Sequence, residues 1–210
     1  MRGSADPVGR LLCDVLAMVA EFEPDLFRAR IHALPGSRVE RPRSIPTLVQ
    51  MGVRPLAVFD IDGVLADVRH RLHLLDRGPE DWDAFFAAAP DDPPLDVGVA
   101  LALESAKDCD VVCVTGRPER CRVDTLAWLA QHGLPVGELA MRSGRDRRSA
   151  HLTKPLLLHR LAGDRTVAVV VDDDEQVCDA YEAAGHPVLR ACWARTAPAL
   201  RRAQQEQGRA

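Results

Sequence analysis

One stretch of the sequence limits the possible folds more than any other. Residues 56–59 form an unbroken apolar run, and two carboxylates, Asp60 and Asp62, follow it directly before Gly63. A short apolar run of this kind is typical of a buried strand in a parallel sheet. In open α/β sheets, ligands bind beyond the carboxyl ends of the strands, which is where both carboxylates would lie. The stretch therefore predicts an α/β fold with a site at this edge of the sheet.

The two carboxylates at this strand end have two interpretations. Two carboxylates at one site can have different tasks, one ionised as a nucleophile or metal ligand and the other protonated as a general acid. In a purely structural turn, Asp side chains instead cap backbone amides. The motif by itself fits both interpretations, so the residues after the other strands decide between them.

Two later stretches repeat the pattern of an apolar run that ends in polar residues. The run at residues 111–114 leads into Thr115, Gly116 and Arg117. A hydroxyl beside the amides of a helix start either holds a phosphate oxygen or caps the helix. The run at residues 167–171 leads into successive carboxylates at 172–175. Their mutual repulsion predicts a hard cation with oxygen ligands near the first two, while the last two are expected to start a helix.

A basic segment interrupts an otherwise acidic chain. The net charge is −4, with 27 basic and 31 acidic residues, which excludes a generic polyanion binder. Residues 142–148 nevertheless contain four arginines. These either form a solvated loop or hold substrate phosphates with their guanidinium groups. Any contact with nucleic acid is therefore expected to be local.

These motifs together resemble the haloacid dehalogenase (HAD) superfamily of phosphotransferases. The resemblance implies that Asp60 attacks phosphorus, that Asp62 is acid and base for the leaving group, and that Thr115 holds the transferring phosphate. It also implies that Lys154 neutralises the nucleophile and the phosphate, with Lys107 as the second candidate. An acidic pair binds Mg²⁺ in that superfamily, and the implied magnesium ligands are Asp60, Asp62, Asp172 and Asp173.

Within the superfamily, residues 57–193 resemble the phosphatase domain of polynucleotide kinase, which removes 3′-phosphates from nucleic-acid ends. The spacing of Asp146, Arg148 and Lys154 narrows the choice to this family. The sequence has no Gly-x-x-x-x-Gly-Lys-Ser/Thr phosphate loop and so carries no kinase site of that enzyme. The substrate-binding residues that the resemblance implies are Gly116, Arg117, Arg145 and Arg148.

The expected function is a Mg²⁺-dependent phosphomonoesterase with an aspartyl-phosphate intermediate, acting on 3′-phosphorylated nucleic-acid ends. One alternative is a phosphatase of nucleotides or other small metabolites. Another is a non-catalytic scaffold of the same fold. A steep loss of affinity with salt is expected for an enzyme that binds a strand, and a shallow loss for one that binds a single phosphate.

With 210 residues, the chain is long enough for one α/β domain and a short appendage. Helical spacing of apolar residues predicts an αα hairpin at 1–36, which could pack on the catalytic domain, form a homodimer interface or bind a partner. A linker is expected at 37–52, the phosphatase domain at 53–195 and a C-terminal helix or tail at 196–210. By resemblance, the domain has a three-layer, Rossmann-like HAD fold with a parallel central sheet.

Little of the chain is left for a cap domain. Only residues 63–109 separate Asp62 from the next strand, and a helix near 95–107 takes some of them. The cap is therefore expected to be small or absent, which leaves an open site suited to a polymeric substrate. By resemblance, residues 64–75 form a turn and a β-hairpin flap over the site, although a solvated turn is the alternative. The flap would bring to the substrate the basic residues Arg69, His70, Arg71 and His73.

A predicted helix after residue 79 carries three aromatic residues on one face, Trp82, Phe85 and Phe86. They either pack in the core or line a wall that binds a base or another ring.

The cysteines and the apolar runs indicate the compartment. Six cysteines without a Cys-x-x-Cys pair are interpreted as reduced core residues and not as a zinc site or disulfide framework. No apolar run is long enough for a membrane span, and the N-terminus lacks a secretion signal. A cytoplasmic protein without a membrane partner is therefore expected.

Overall fold

The computed structural model describes residues 54–76 and 81–194. All of them belong to one compact unit. The predicted hairpin at 1–36, the linker at 37–52 and the tail at 196–210 lie outside the described residues. The domain boundaries and the homodimer therefore stay predictions.

Five parallel strands form the centre of the fold. They are β1 (Leu56–Phe59), β2 (Asp110–Pro118), β3 (Val136–Arg142), β4 (Val167–Asp172) and β5 (Val188–Arg190), in the order β3-β2-β1-β4-β5. In the register of the sheet, Phe59 lies opposite Cys113 on one side and Val171 on the other. The carboxyl ends of β1 and β4 are therefore nearly level, and β2 continues beyond them to Pro118. The predicted parallel α/β sheet is confirmed.

Six α-helices connect or flank the strands in the described residues. They are α1 (His73–Asp76), α2 (Trp82–Ala87), α3 (Asp96–Ser105), α4 (Arg122–Gln131), α5 (Ala150–Ala162) and α6 (Glu175–Ala183). Single 3₁₀ turns occur at Arg69–Arg71, Ala89–Asp91 and Glu119–Cys121. With this strand order and right-handed crossovers, α3 and α4 cover one face of the sheet and α5 and α6 the other. The predicted three-layer architecture is confirmed.

The core on the α5 side follows from the alternation of side chains along the strands. Leu56 and Val58 point to the same face and are fully buried with Leu158 of α5 and with Val177 and Tyr181 of α6. Their neighbours Ala57 and Phe59, also buried, face the opposite layer. Because both faces of β1 are covered, its sequence is apolar throughout.

The described residues between β1 and β2 form no cap domain, in agreement with the prediction of a small or absent cap, but they also differ from the expected flap. Among its described residues there is no β-hairpin, only the isolated bridges Asp62↔Ala66 and Ala66↔Pro94. Residues 69–71 form a 3₁₀ turn, residues 73–76 form a short α-helix, and Arg71 is fully buried. The flap prediction is therefore wrong for these residues, because Arg71 turns inward to buried carboxylates.

Two elements begin or end elsewhere than the sequence indicates. Strand β2 continues to Pro118, so Thr115 lies in a strand and not at a helix start. Helix α5 begins at Ala150 and contains Pro155. A proline is typical of the first turn of a helix, so Pro155 by itself would indicate a start near Lys154. Pro155 is tolerated because it lies early in the helix, where its missing N–H loses a single bond to the His151 carbonyl.

The cysteine prediction is confirmed for four of the six residues. Cys109, Cys113, Cys121 and Cys178 are buried free thiols. Cys192 is exposed, so the core assignment is wrong for it, and Cys13 lies outside the described residues. None of the helices seen in the described part of the chain is both long and apolar enough to cross a bilayer.

Candidate active site

The turn after β1 separates the two carboxylates of the first motif. The amide of Asp60 donates to the Val171 carbonyl at 2.9 Å, which fixes Asp60 at the end of the sheet. The amides of Leu65 and Ala66 both donate to the Ile61 carbonyl, and Gly63 has a φ of 86°, which few other residues adopt. The chain thus reverses within a few residues, and Asp60 and Asp62 contact different partners.

Asp60 lies in a cluster of buried charges at the ends of β1 and β4. The Nζ atom of Lys154 lies 2.9 Å from Asp60 Oδ2 and 2.8 Å from Asp172 Oδ2. Carboxylate oxygens of Asp60, Asp172 and Asp173 lie within 4.8 Å of one another. Lys107 is exposed and bound to Glu104, so Lys154 is the lysine that the fold brings to Asp60.

Burial dominates the electrostatics of this cluster. It raises the pKa of Asp60 to about 7, although Lys154 opposes the shift. Burial raises the pKa of Asp172 and of Asp173 as well, and Asp172 adds to the shift of Asp173. Lys154 stays protonated, because the two carboxylates outweigh its own burial and raise its pKa. Without a further cation, the cluster thus favours protonated carboxyl groups.

The Asp173 carboxylate lies directly against Gly63. A Cβ atom added to Gly63 would lie 2.5 Å from Asp173 Oδ2, closer than real Cβ atoms come. A glycine is therefore needed at residue 63 for two reasons. It adopts the positive φ of the turn, and it leaves space for the Asp173 carboxylate. The neighbouring Asp174 caps α6 by accepting the amides of Gln176 and Val177, as predicted.

Asp62 belongs to a second cluster, which two arginines dominate. Arg71 Nη2 donates to Asp62 Oδ1 at 2.8 Å, and Arg117 Nε donates to the same oxygen at 2.9 Å. Burial alone would raise the pKa of Asp62, but Arg117 and Arg71 outweigh it and hold the pKa at about 2. The fold thus separates the Asp62 side chain from the Asp60, Asp172 and Asp173 group, with which the sequence had placed it as a metal ligand.

The Asp92 carboxylate accepts hydrogen bonds from both arginines that bind Asp62, Arg71 and Arg117. Its Oδ1 accepts Arg71 Nε at 2.7 Å, and its Oδ2 accepts Arg117 Nη2 at 2.7 Å. His70 also contacts Asp92 Oδ1, and Trp128 Nε1 donates to the Asp92 carbonyl. Sequence reasoning missed Asp92, because the segment Pro-Asp-Asp-Pro-Pro around it resembles a surface turn.

Arg71 also rests on the aromatic trio of α2. Its guanidinium lies 4.0 Å from the Phe85 ring centroid. Phe85 packs edge to face on Phe86 and Trp82, and all three are buried. Core packing is thus what these rings do, and Phe85 in addition supports a charged residue next to Asp62.

Thr115 and Gly116 lie at the end of β2, beside the two clusters. The Thr115 side chain is buried, and its oxygen accepts the Arg117 amide at 3.2 Å. The hydroxyl hydrogen is not used in that bond. The strand end thus offers one hydroxyl donor near Asp60 and Asp62, without the helix amides that the sequence had suggested.

The arginine-rich loop divides into two kinds of residues. Buried Arg142 donates to the Arg148 carbonyl at 2.6 Å, and Arg148 Nη2 donates to Asp146 Oδ2 at 2.6 Å. Arg145 and Arg147 are exposed, and their guanidinium groups hydrogen-bond to none of the described residues. Arg142 and Arg148 thus hold the shape of the loop, and Arg145 and Arg147 are available to a ligand.

Two cavities flank this loop. The cavity of about 180 Å³, here the α2 cavity, lies between Trp82 and Phe86 of α2, Gly116 at the end of β2, Arg120, and Arg147 of the loop. The other, about 670 Å³ and here the α5 cavity, is lined by the loop together with Leu156, Leu157 and Arg160 of α5. Asp60 itself is only 2% exposed. The centre is therefore more enclosed than the absence of a cap domain had suggested.

Comparisons with known proteins agree with this architecture. Residues 55–192 match the family described as the polynucleotide kinase PNKP phosphatase domain. No curated protein is recognisably similar to the chain.

Solved structures share the fold. A chain of the Pnkp1/Rnl/Hen1 complex is similar over 73% of this chain, with 22% identity and a TM-score of 0.55. This chain spans only 51% of that one. Protein Tyrosine Kinase A from Mycobacterium tuberculosis is similar over 70% of this chain and 88% of its own, with 19% identity and a TM-score of 0.50. At such identities the likeness concerns the fold.

The family match covers the residues that carry both clusters, and it confirms that the chain is a phosphatase. The chain belongs to the HAD-type phosphatase-domain family of polynucleotide kinase.

Proposed function

We propose that the chain removes 3′-phosphates from nucleic-acid ends through an aspartyl-phosphate on Asp60, with Mg²⁺ as its cofactor. The observation that carries the proposal is the contact of Lys154 with Asp60, at 2.9 Å, within a group of three buried carboxylates. A charged lysine beside a carboxylate at a strand end is the arrangement that an aspartate nucleophile needs to meet a phosphate dianion. The family match supports the choice of substrate.

Asp60, Asp172 and Asp173 fit a hard divalent cation. They offer only oxygen ligands, as Mg²⁺ prefers, and Asp60 Oδ1 is buried without a hydrogen-bond donor among the described residues. Mg²⁺ held there would neutralise the carboxylates and polarise the phosphoryl oxygens. Asp62 is left out of this ligand set, because Arg71 and Arg117 bind its carboxylate.

The two chemical steps follow from the groups around Asp60. The Asp60 carboxylate attacks phosphorus, and the bond to the leaving oxygen breaks, which gives an aspartyl-phosphate and an alcohol that must gain a proton. Water then attacks the phosphorus, loses a proton to a base and releases inorganic phosphate and the Asp60 carboxylate. Lys154 and the Thr115 hydroxyl stabilise the charge on the phosphoryl oxygens in both steps.

Asp62 handles the protons in this proposal. With a pKa of about 2 it is ionised near neutral pH and can accept the proton of the attacking water. To protonate the leaving oxygen in the first step, it must be held less tightly by its arginines. A substrate phosphate that draws Arg117 toward itself would have this effect, because Arg117 lowers the pKa of Asp62 more than Arg71 does.

Arg145 and Arg147 are the proposed contacts to the phosphates of the strand. Both are exposed on the loop between the two cavities, and neither guanidinium is engaged by a described residue. Arg148, which the resemblance had assigned to the substrate, instead holds Asp146 and with it the shape of the loop. Arg117 would contact the transferring phosphate itself.

Phosphate release tests the proposal. The substrates are a 3′-phosphorylated oligonucleotide, its 5′-phosphorylated twin and mononucleotides, each with Mg²⁺ and with EDTA, and Asp60→Asn is the blank. We expect the fastest release from the 3′-phosphorylated end, and only with Mg²⁺. Preference for mononucleotides would instead support a small-molecule phosphatase, which the near-complete burial of Asp60 favours as the second candidate.

A further inference from the structure

The α2 cavity is lined by a guanidinium group that contacts the protein on two sides. Arg120 lies with its guanidinium 5.3 Å from the Phe86 ring centroid, and its Nη2 donates to Asp83 Oδ1 at 2.9 Å. The side chain is nevertheless 53% exposed. An arginine placed on a ring in this way still offers its planar surface to a ligand, without the entropy loss of ordering a free side chain.

The α2 cavity adjoins the place where the phosphate would be held. Gly116, which lines the cavity, directly follows Thr115 in the sequence. A ligand whose phosphate contacts the Thr115 hydroxyl therefore has the cavity within reach of the group that carries the phosphate. Three arginines line the cavity, Arg120, Arg142 and Arg147, against the carboxylates of Asp83 and Asp146.

We propose that the α2 cavity binds the base of the terminal nucleoside, stacked on the Arg120 guanidinium. The inference rests on the proposed function, because it takes the phosphate to lie at Thr115. Every base has a flat, electron-rich face that can stack on the plane of an arginine guanidinium, so the contact does not depend on which base is present. A sugar phosphate without a base offers no such face, so the cavity would distinguish nucleotides from other phosphomonoesters.

The test compares two substrates that differ only in the base. One is a short 3′-phosphorylated oligonucleotide, and the other has an abasic residue at the 3′-phosphorylated end. Because only the first substrate has a base that can stack on the Arg120 guanidinium, its kcat/KM should be about tenfold higher. Arg120→Ala should remove that difference and leave the abasic substrate unaffected.

Two controls separate stacking from charge and from folding. Arg120→Lys keeps the charge without the plane and should behave like Arg120→Ala. Arg122→Ala removes a nearby arginine that is paired with Glu119 and does not line the cavity, and it should keep the preference for the base. An equal loss for both substrates in Arg120→Ala would overturn the subsite, as would a wild-type enzyme that does not distinguish them.

A different result would show that the proposed function itself is wrong. If no oligonucleotide is hydrolysed, the same comparison is made with thymidine 3′-monophosphate and its abasic analogue. Preference for the nucleotide, lost in Arg120→Ala, would contradict the polymeric substrate and support the subsite. Equal rates for the two, or no release from either, would overturn the subsite as well.

Discussion

Asp92 is the residue on which the geometry around Asp62 depends. It neutralises Arg71 and Arg117 from the side opposite Asp62, and its side chain is completely buried. With Asp92→Asn, two buried guanidinium groups would share the single carboxylate of Asp62. We expect the unfolding free energy to fall by about 3–5 kcal/mol, the usual loss when one partner of a buried ion pair is removed.

Catalysis should suffer in the same variant, with kcat lower by about tenfold or more and KM little changed, because Asp62 loses its orientation in the reaction and not its contact with bound substrate. Steady-state kinetics and a urea melt measure the two effects. Asp91→Asn is the matched control, since the adjacent Asp91 is exposed. Reduced stability with unchanged kcat would show that Asp92 acts only on folding.

Gly63 leads to a prediction about metal affinity. An alanine there would have to adopt a φ of 86° and would meet Asp173 Oδ2 at 2.5 Å, so the carboxylate must move. Displaced supporting contacts typically weaken metal binding by about 10- to 100-fold. For Gly63→Ala we expect the Mg²⁺ concentration for half-maximal rate to rise at least tenfold. Gly137→Ala is the control, because its new Cβ would lie 3.8 Å from the nearest atom. An unchanged Mg²⁺ requirement would place the metal elsewhere.

The residues that the sequence could predict are those at strand ends. Asp60, Thr115 and Asp172 each follow an apolar run, and parallel strands bring their ends together, so the pattern alone indicated one site. Asp92 and Arg71 have no such signal. Their roles depend on contacts between residues that lie 21 positions apart in the chain, which periodicity does not encode.

At the scale of elements, the arginine-rich loop shows what charge patterning cannot distinguish. Its four arginines are alike in the sequence, but the guanidinium groups of Arg142 and Arg148 make hydrogen bonds that hold the loop, and those of Arg145 and Arg147 make none to the described residues. The difference comes from Asp146, whose carboxylate accepts three hydrogen bonds from the amide and guanidinium of Arg148, and from the burial of Arg142 beneath the loop. Correct prediction of the helix and strand boundaries around the loop would not have revealed this difference between the arginines.

This division predicts a change in salt dependence. Each phosphate contact to a single strand contributes about 0.7 to the slope of log affinity against log salt. For Arg145→Ala/Arg147→Ala we therefore expect a slope shallower by about 1.4, measured as oligonucleotide binding to the Asp60→Asn protein. Arg190→Ala, which removes an arginine paired with Asp179 and Glu182, controls for net charge. Equal slopes in the double variant and the wild type would mean that the loop does not contact the strand.

At the scale of the molecule, the sequence predicted a parallel sheet with its three central strands, but it predicted neither strand β5 nor the order of the strands. Unbroken apolar runs indicated β1, β2 and β4, which are central and covered on both faces. Strand β5 has three residues that are half-buried or exposed, too few for a periodic signal. The order of the strands follows from the packing of helices on both faces, which one sequence does not specify.

The charges buried around the centre also belong to this scale, because no single element supplies them. Asp174 caps α6, Asp67 pairs with exposed Arg69, and Arg142 holds the arginine-rich loop. Apart from these three, five buried carboxylates face three buried cations. The carboxylates are Asp60, Asp62, Asp92, Asp172 and Asp173, and the cations are Arg71, Arg117 and Lys154. If all are ionised, two negative charges remain, which is the charge that one divalent cation neutralises.

This excess of two buried negative charges predicts how the stability of the fold depends on pH and Mg²⁺. The folded pKa of Asp60 is about 7, above its unfolded value of 3.8, so between these pH values the folded chain binds more protons than the unfolded one. Without metal, stability should therefore fall as pH rises through this window and stay low above it. Asp172 and Asp173 shift in the same direction. Mg²⁺ binds the ionised carboxylates, so it should raise Tm more at pH 8 than at pH 5.5.

Calorimetry in EDTA and in excess MgCl₂ at the two pH values measures this difference. Asp173→Asn removes one carboxylate of the cluster, so the metal-free protein should lose less stability as pH rises, and the stabilisation by Mg²⁺ should shrink. Asp179→Asn, an exposed change on the same side of the fold, should keep the wild-type pattern. A Tm increase with Mg²⁺ that is equal at both pH values would mean that the ion binds carboxylates that are already ionised, and hence not the buried group around Asp60.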